Sequence, residues 1–164
     1  QVLGVGSIAP TVTFGAVGVH LARDRDLQTK LRETPELIPA AIEEFLRLYT
    51  PYRGFARTAT KDVCKHGRTI KAGEPIALVY ASANRDEDVF EAPDEFRLDR
   101  ENMKDSLAFG RGVHSCVGAP LARLQMKIAL ERLLAKTKGF RLAGEPVQTR
   151  FPEIGALKAP LAFE

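Results

Sequence analysis

Of the two cysteines in the 164-residue chain, Cys64 and Cys116, the second has the more telling neighbourhood. Three glycines within nine residues, Gly110, Gly112 and Gly118, surround it, and a long apolar-periodic segment follows directly. Glycine admits backbone conformations that other residues avoid and lets a flat ligand or a second backbone come close. A thiol just before a helix feels the positive end of the helix dipole, which favours the thiolate. Loop amides can donate to such a sulfur and tune its electron donation. These are the conditions that a thiolate ligand to iron requires, and thiolate ligation favours cleavage of a dioxygen O–O bond. A buried, inert cysteine in a turn is the plainer alternative for any single cysteine.

A second constellation competes for the same residue. Cys64-x-His66 and His114-x-Cys116 together offer four zinc ligands of ordinary type. Their one-residue gaps fall short of the two to four residues usual in structural zinc sites, and zinc leaves the glycine pattern unexplained.

The elements that must position these residues are legible from periodicity and punctuation. Residues 2–33 read as two helices, with Val12 to Leu21 apolar nearly all round and therefore buried. Pro10 is expected to break or kink the first turns. The amphipathic stretch Asp24 to Arg32 ends at Thr34-Pro35, and a further helix is expected from Pro39 to Leu48. Strands follow between Phe55 and Tyr80, with a turn at Lys71-Ala-Gly-Glu. Residues 81–108 form a long polar meander, a length unusual in a compact domain unless it serves a site. The clearest helix, Pro120 to Lys136, has apolar residues at Leu121, Leu124, Ile128, Leu130, Leu133 and Leu134. Short strands from Phe140 to Phe163 turn at Gly144 and Gly155.

With the elements in place, the string Phe109-xx-Gly112-x-His114-x-Cys116-x-Gly118, followed by Leu121-Ala122-Arg123, resembles the haem-binding signature of the bacterial cytochromes P450. Upstream, Glu44-Phe-Leu-Arg47 looks like the family's Glu-x-x-Arg helix, and Ala83-Asn84-Arg85-Asp86 is similar to a segment common in bacterial members. The resemblance covers the whole chain in the family's order. It implies a mainly α fold with small β-sheets (α+β), the C-terminal part of the P450 fold from distal helix to terminal strands. Residues 1–164 would then be a single haem-binding portion without its N-terminal portion.

It also implies roles. Cys116 would be the axial ligand of haem b, with Arg57 and His114 on the two propionates and Phe109 beside the sulfur. Gly110, Gly112 and Gly118 would shape the loop, while Glu44, Arg47 and Arg97 tie the helix to the meander. Tyr52, Phe55 and Ile154 are the substrate-contact candidates, and their mix of aromatic and aliphatic groups suits a hydrophobic small molecule. A ferredoxin or flavoprotein would deliver electrons on a basic proximal face containing Arg111, Arg123 and Lys127. The implied activity is monooxygenation, an oxidoreductase reaction. Against it, Ile8 and Ala9 stand where the family's distal acid–threonine pair is expected, and neither relays a proton. A haem-binding module without turnover is therefore the alternative reading.

Composition bounds the rest. Apolar residues make up 45% and charged residues 27%, ordinary for a soluble globular domain. The +3 formal charge is spread among acids, which argues against nucleic acid as a partner. No apolar run is long enough to span a membrane, and a reducing cytoplasm is expected. The apolar start, Gln1 to Phe14, lacks a basic leader and reads as the inside of a helix rather than a signal peptide. Taken alone, such a portion should leave an apolar face that self-associates or pairs with an N-terminal portion.

Overall fold

The structure, a computed structural model, describes residues 2–164. Helix α1 (Val2–Arg23) is rich in small and apolar residues and buries Val12, Ala16, Val17, Val19 and Leu21. Of the break or kink expected at Pro10, the break does not occur, and the helix runs on through it. Proline removes only one ladder bond, and its fixed φ suits a helix. On either side of it, Thr11 Oγ1 donates to the Ser7 carbonyl at 2.7 Å and Thr13 Oγ1 to the Ala9 carbonyl at 2.8 Å. Tertiary cover does the rest, since α1 packs on later helices and on strands near the C-terminal end.

Asp24 caps the next helix, α2 (Arg25–Glu33), by accepting the Leu27 N–H at 2.9 Å. A short 3-10 turn, Pro35–Leu37, leads into α3 (Ile38–Leu48), which starts one residue before the expected boundary. Its apolar face, including Ile38, Ile42 and Phe45, is buried, and so are Glu44 and Arg47 on another face.

The strands form four two-stranded antiparallel sheets. Strand β1 (Phe55–Thr58) pairs with β4 (Pro75–Leu78), and between them β2 (Val63–Lys65) and β3 (Arg68–Ile70) make a hairpin. After the one-turn helix α4 (Tyr80–Ala83) comes the meander, then α5 (Ala119–Lys136). At the C-terminal end β5 (Phe140–Leu142) pairs with β8 (Leu161–Phe163), and β6 (Val147–Gln148) with β7 (Ala156–Lys158).

The core lies where α1, α2, α3 and α5 meet, around Leu21, Leu31, Ile38, Phe45, Leu130 and Phe140. Gln28 sits buried within it with its amide fully used. Its Nε2 donates to the Leu21 and Phe140 carbonyls, and its Oε1 accepts the Phe140 N–H at 3.0 Å, which pins β5 to the α1–α2 corner. In α5 the buried residues are Ala119, Met126, Leu130 and Leu134. Leu121, Leu124 and Ile128, part of the expected apolar pattern, instead remain about half exposed. Among the described residues no helix is long and apolar enough to cross a membrane.

Candidate functional site: the cysteine loop and its supports

Residues 109–118 form a tight loop held by its own backbone. Gly110 N donates to the Leu107 carbonyl at 2.9 Å, Cys116 N to the Phe109 carbonyl at 2.9 Å, and Ser115 N to the Gly112 carbonyl at 3.0 Å. Gly110 and Gly112 adopt φ of +67° and +80°, a region where a side chain would be strained, so glycine is required at both. Cys116 lies three residues before α5, and its thiol is exposed in this chain. Beside it Val113 and Val117 are 97% and 99% exposed, apolar side chains with no cover in this chain.

Beneath the loop, α3 supplies two successive carboxylates to two different partners. Glu44 and Arg47 form a buried bidentate pair, Nε to Oε2 at 2.8 Å and Nη2 to Oε1 at 2.7 Å. Arg47 also donates to the carbonyls of Asn84, Pro93 and Glu95, so one guanidinium gathers three points of the meander. Arg100 Nε reaches Glu44 Oε1 at 2.9 Å with its side chain only 3% exposed. Burial pushes the Glu44 carboxyl up, but the hydrogen bonds from Arg47, Arg100 and the Arg97 backbone outweigh it and hold the pKa below the ordinary value. Glu43, the neighbouring carboxylate, is paired with Arg123 of α5 at 2.5 and 2.9 Å. The Arg123 guanidinium lies 4.6 Å from the centre of the Phe109 ring.

The family model for cytochrome P450 matches residues 16–160. The chain belongs to the cytochrome P450 family. Among curated P450 relatives, a nocardicin C N-oxygenase of Nocardia uniformis subsp. tsuyamanensis is 42% identical over 96% of this chain and 40% of its own length. A steroid C26-monooxygenase of Mycolicibacterium smegmatis is 45% identical over 80% of this chain and 33% of its own. Among solved structures, a P450-153 of Novosphingobium aromaticivorans superposes with a TM-score of 0.91 at 40% identity, covering 99% of this chain and 42% of that one. A substrate-free Mycobacterium marinum P450 superposes with a TM-score of 0.95 at 33% identity, covering 99% and 43%. The chain thus spans between 33% and 43% of the length of these four P450s. The expected P450 fold of helices with small sheets is the fold observed.

Within this P450 the meander partner of the Glu-x-x-Arg pair needs correction. Arg97 gives Glu44 only its backbone N–H, at 3.0 Å, while its side chain turns outward to Glu91 and Asp99, each at 3.2 Å. Arg100 supplies the second guanidinium. Sequence reading named only Arg97 and did not consider Arg100, which the path of the meander brings to Glu44. Asn84 was likewise seen only as part of a motif. Its Nδ2 donates to Thr50 Oγ1 and its Oδ1 accepts the Leu107 N–H, each at 2.7 Å, so it joins the end of α3 to the segment entering the cysteine loop.

The zinc candidates are not brought together. Cys64 and His66 belong to the β2–β3 hairpin, whereas His114 and Cys116 lie in the loop before α5. Among the described residues no three His, Cys, Asp or Glu side chains are placed to share a metal ion. Arg57, on β1, is exposed with its Nη1 on the Ala56 carbonyl, and His114 is exposed in the 3-10 turn Gly112–His114. Neither has an ion-pair partner among the described residues.

The two segments expected near substrate do meet. Tyr52 bridges to Glu153, Ile154 N donates to the Pro51 carbonyl at 2.9 Å, and Arg53 N to the Pro152 carbonyl at 2.9 Å. Close approach of α1 to this turn depends on glycine, since a Cβ on Gly15 would stand 2.6 Å from the Ala156 carbonyl oxygen. Phe55 lies tilted between Tyr52 and Tyr80, its ring centre 5.5 and 6.2 Å from theirs. A cleft of about 420 Å³ runs beside Ile154, lined also by His20 and Tyr49, which share a 2.7 Å hydrogen bond. Of the three expected basic docking residues, each has an acidic neighbour. Arg111 is 3.4 Å from Asp105, Lys127 is 3.8 Å from Glu131, and Arg123 is held by Glu43.

Proposed function

We propose that residues 1–164 act as one haem-binding unit of a haem-thiolate monooxygenase, with Cys116 as the axial ligand. The observation that carries the reading is the Cys116 loop itself: an exposed thiol, two glycines at positive φ, and a helix starting three residues later. The family implies haem iron with cysteine ligation. The residues present fit that group. A flat apolar macrocycle needs apolar cover, which the exposed Val113 and Val117 offer, and its carboxylates need donors, which Arg57 and His114 offer. Bound there, haem b would supply the activation of oxygen.

The protein's own groups then divide the remaining work. Gly110, Gly112 and Gly118 set the loop, and the Phe109 carbonyl holds the Cys116 N–H so that the sulfur projects from a fixed backbone. Glu44, Arg47 and Arg100 lock the meander that leads into it. Tyr52, Phe55 and Ile154 would bound the site of a hydrophobic organic substrate. A steroid monooxygenase and a mycinamicin IV hydroxylase/epoxidase among the relatives support that class. Electrons would come from a ferredoxin or flavoprotein, and the setting would be the cytoplasm.

Full-length, haem-loaded protein, reduced and treated with carbon monoxide, should show the red-shifted Soret band of thiolate ligation. Cys116→Ala should abolish it. An imidazole-type band in the wild type would overturn the assignment.

A further inference from the structure

We propose that Arg123 is a positioning residue of the Cys116 loop, clamped by Glu43 so that its guanidinium holds the Phe109 ring in place, and not a landing point for an electron donor. The proposal rests on the haem-thiolate reading above.

The geometry forms a continuous chain from α3 to the sulfur-bearing residue. Glu43 receives two parallel hydrogen bonds from Arg123, Nε to Oε1 at 2.5 Å and Nη2 to Oε2 at 2.9 Å. A fork-on-fork pair of this kind fixes the plane of the guanidinium as well as its position. That plane covers the Phe109 ring at 4.6 Å, inside the range of a cation–π contact. Phe109 in turn carries the Cys116 N–H on its carbonyl. The support has little redundancy, because a cavity of about 280 Å³ lined by Glu43, Phe109, Ser115, Ala119 and Arg123 opens on the same side. Removing the guanidinium would enlarge that space and leave the ring free to tilt.

Charge points the same way. Hydrogen bonding to Glu43 is the leading cause of a raised Arg123 pKa, and the nearby charge of Cys116 adds to it. Through Phe109, whose carbonyl holds the Cys116 N–H, the cation stands close to the sulfur-bearing residue. Paired with Glu43, it offers an approaching acidic protein little net attraction. Glu43 and Glu44 are adjacent on α3, about 100° apart around the helix, so one grips the cysteine loop and the other the meander.

A cation near the sulfur withdraws electron density from it and favours the reduced iron, while an unneutralised cation does so more strongly. In full-length, haem-loaded protein, Arg123→Gln should therefore lower the reduction potential and Glu43→Gln should raise it. Both should shorten the lifetime of the thiolate-type carbonyl band several-fold, because both release the clamp. A merely structural role would move the two potentials together, so shifts of the same sign, or none, overturn the proposal. Should Arg123→Gln fail to load haem, Arg123→Lys keeps the charge and loses the fork. It should then retain the potential of the wild type with the shortened band lifetime, and an unchanged lifetime overturns the proposal. A wild type without the thiolate band would instead defeat the underlying assignment.

Discussion

At position 8 the chain has a half-exposed isoleucine and at position 9 an alanine, where the family resemblance implies an acid and an alcohol. Neither side chain holds a transferable proton. Two of the hydroxyls near them are engaged elsewhere, since Thr11 donates to the Ser7 carbonyl and Thr13 to the Ala9 carbonyl, which leaves the Ser7 hydroxyl as the protein's nearest candidate. A positioned general acid is worth about 10²–10⁴-fold in a proton-dependent step. Without one, reducing equivalents should be consumed with little product in the full-length enzyme. The double variant Ile8→Asp/Ala9→Thr is expected to raise product formed per reductant several-fold, measured as the ratio of product to reductant oxidised. Tight coupling in the wild type would show that a substitute donor, the Ser7 hydroxyl, a substrate hydroxyl or an ordered water, supplies the proton. Position 8 follows from the sequence only through an ungapped count back from Glu44, across α2 to α1. The engagement of Thr11 and Thr13 was not legible there, because it follows from α1 continuing past Pro10.

Helix α3 is the element on which the site depends, because its polar residues are tied into two separate segments. The buried Glu44 carboxylate takes hydrogen bonds from Arg47, Arg100 and the Arg97 backbone. Removing it would leave two guanidinium groups buried without their counter-charge. Glu44→Ala is therefore expected to cost about 3–5 kcal/mol at neutral pH, read from denaturant unfolding. The pH dependence has a definite sign. Glu44 is held below its ordinary pKa of 4.5 in the folded protein, so its stabilisation is present above that value. It is lost as pH falls through the lower, folded-state value. Glu44→Gln should accordingly lower stability at pH 7 and flatten this acid limb, and an unchanged limb would rule Glu44 out as its source. The Glu-x-x-Arg spacing and the bounds of α3 could be read in advance, since caps, prolines and periodicity act over one or two turns. Choosing Arg100 over Arg97 required the course of residues 84–107, a path set by contacts with Arg47 and Asn84 across the fold. The same limit applied to α5, where apolar periodicity marked the helix correctly but could not say which apolar side would be covered.

Across the whole molecule, α5 has apolar residues on opposite sides. Met126, Leu130 and Leu134 enter the core, whereas Leu121, Leu124 and Ile128 form a stripe at i, i+3 and i+7 that is about half exposed, with Val117 almost fully exposed nearby. The relatives that superpose on this chain are more than twice its length. Contiguous apolar surface of this kind marks an interaction site in a soluble protein. The consequence is a substitution whose sign depends on chain length. In the 164-residue chain, Leu124→Lys should reduce self-association, seen as a fall in weight-average mass by sedimentation. In a protein of the relatives' length it should be destabilising, by about 1.5–3 kcal/mol for a leucine that becomes fully buried there. Lys138, on the exposed turn after α5, supplies the control, since Lys138→Gln changes charge without touching the stripe and should alter neither measurement. A monomeric 164-residue chain, together with a full-length protein indifferent to Leu124→Lys, would mean that the stripe is ordinary solvent-exposed surface.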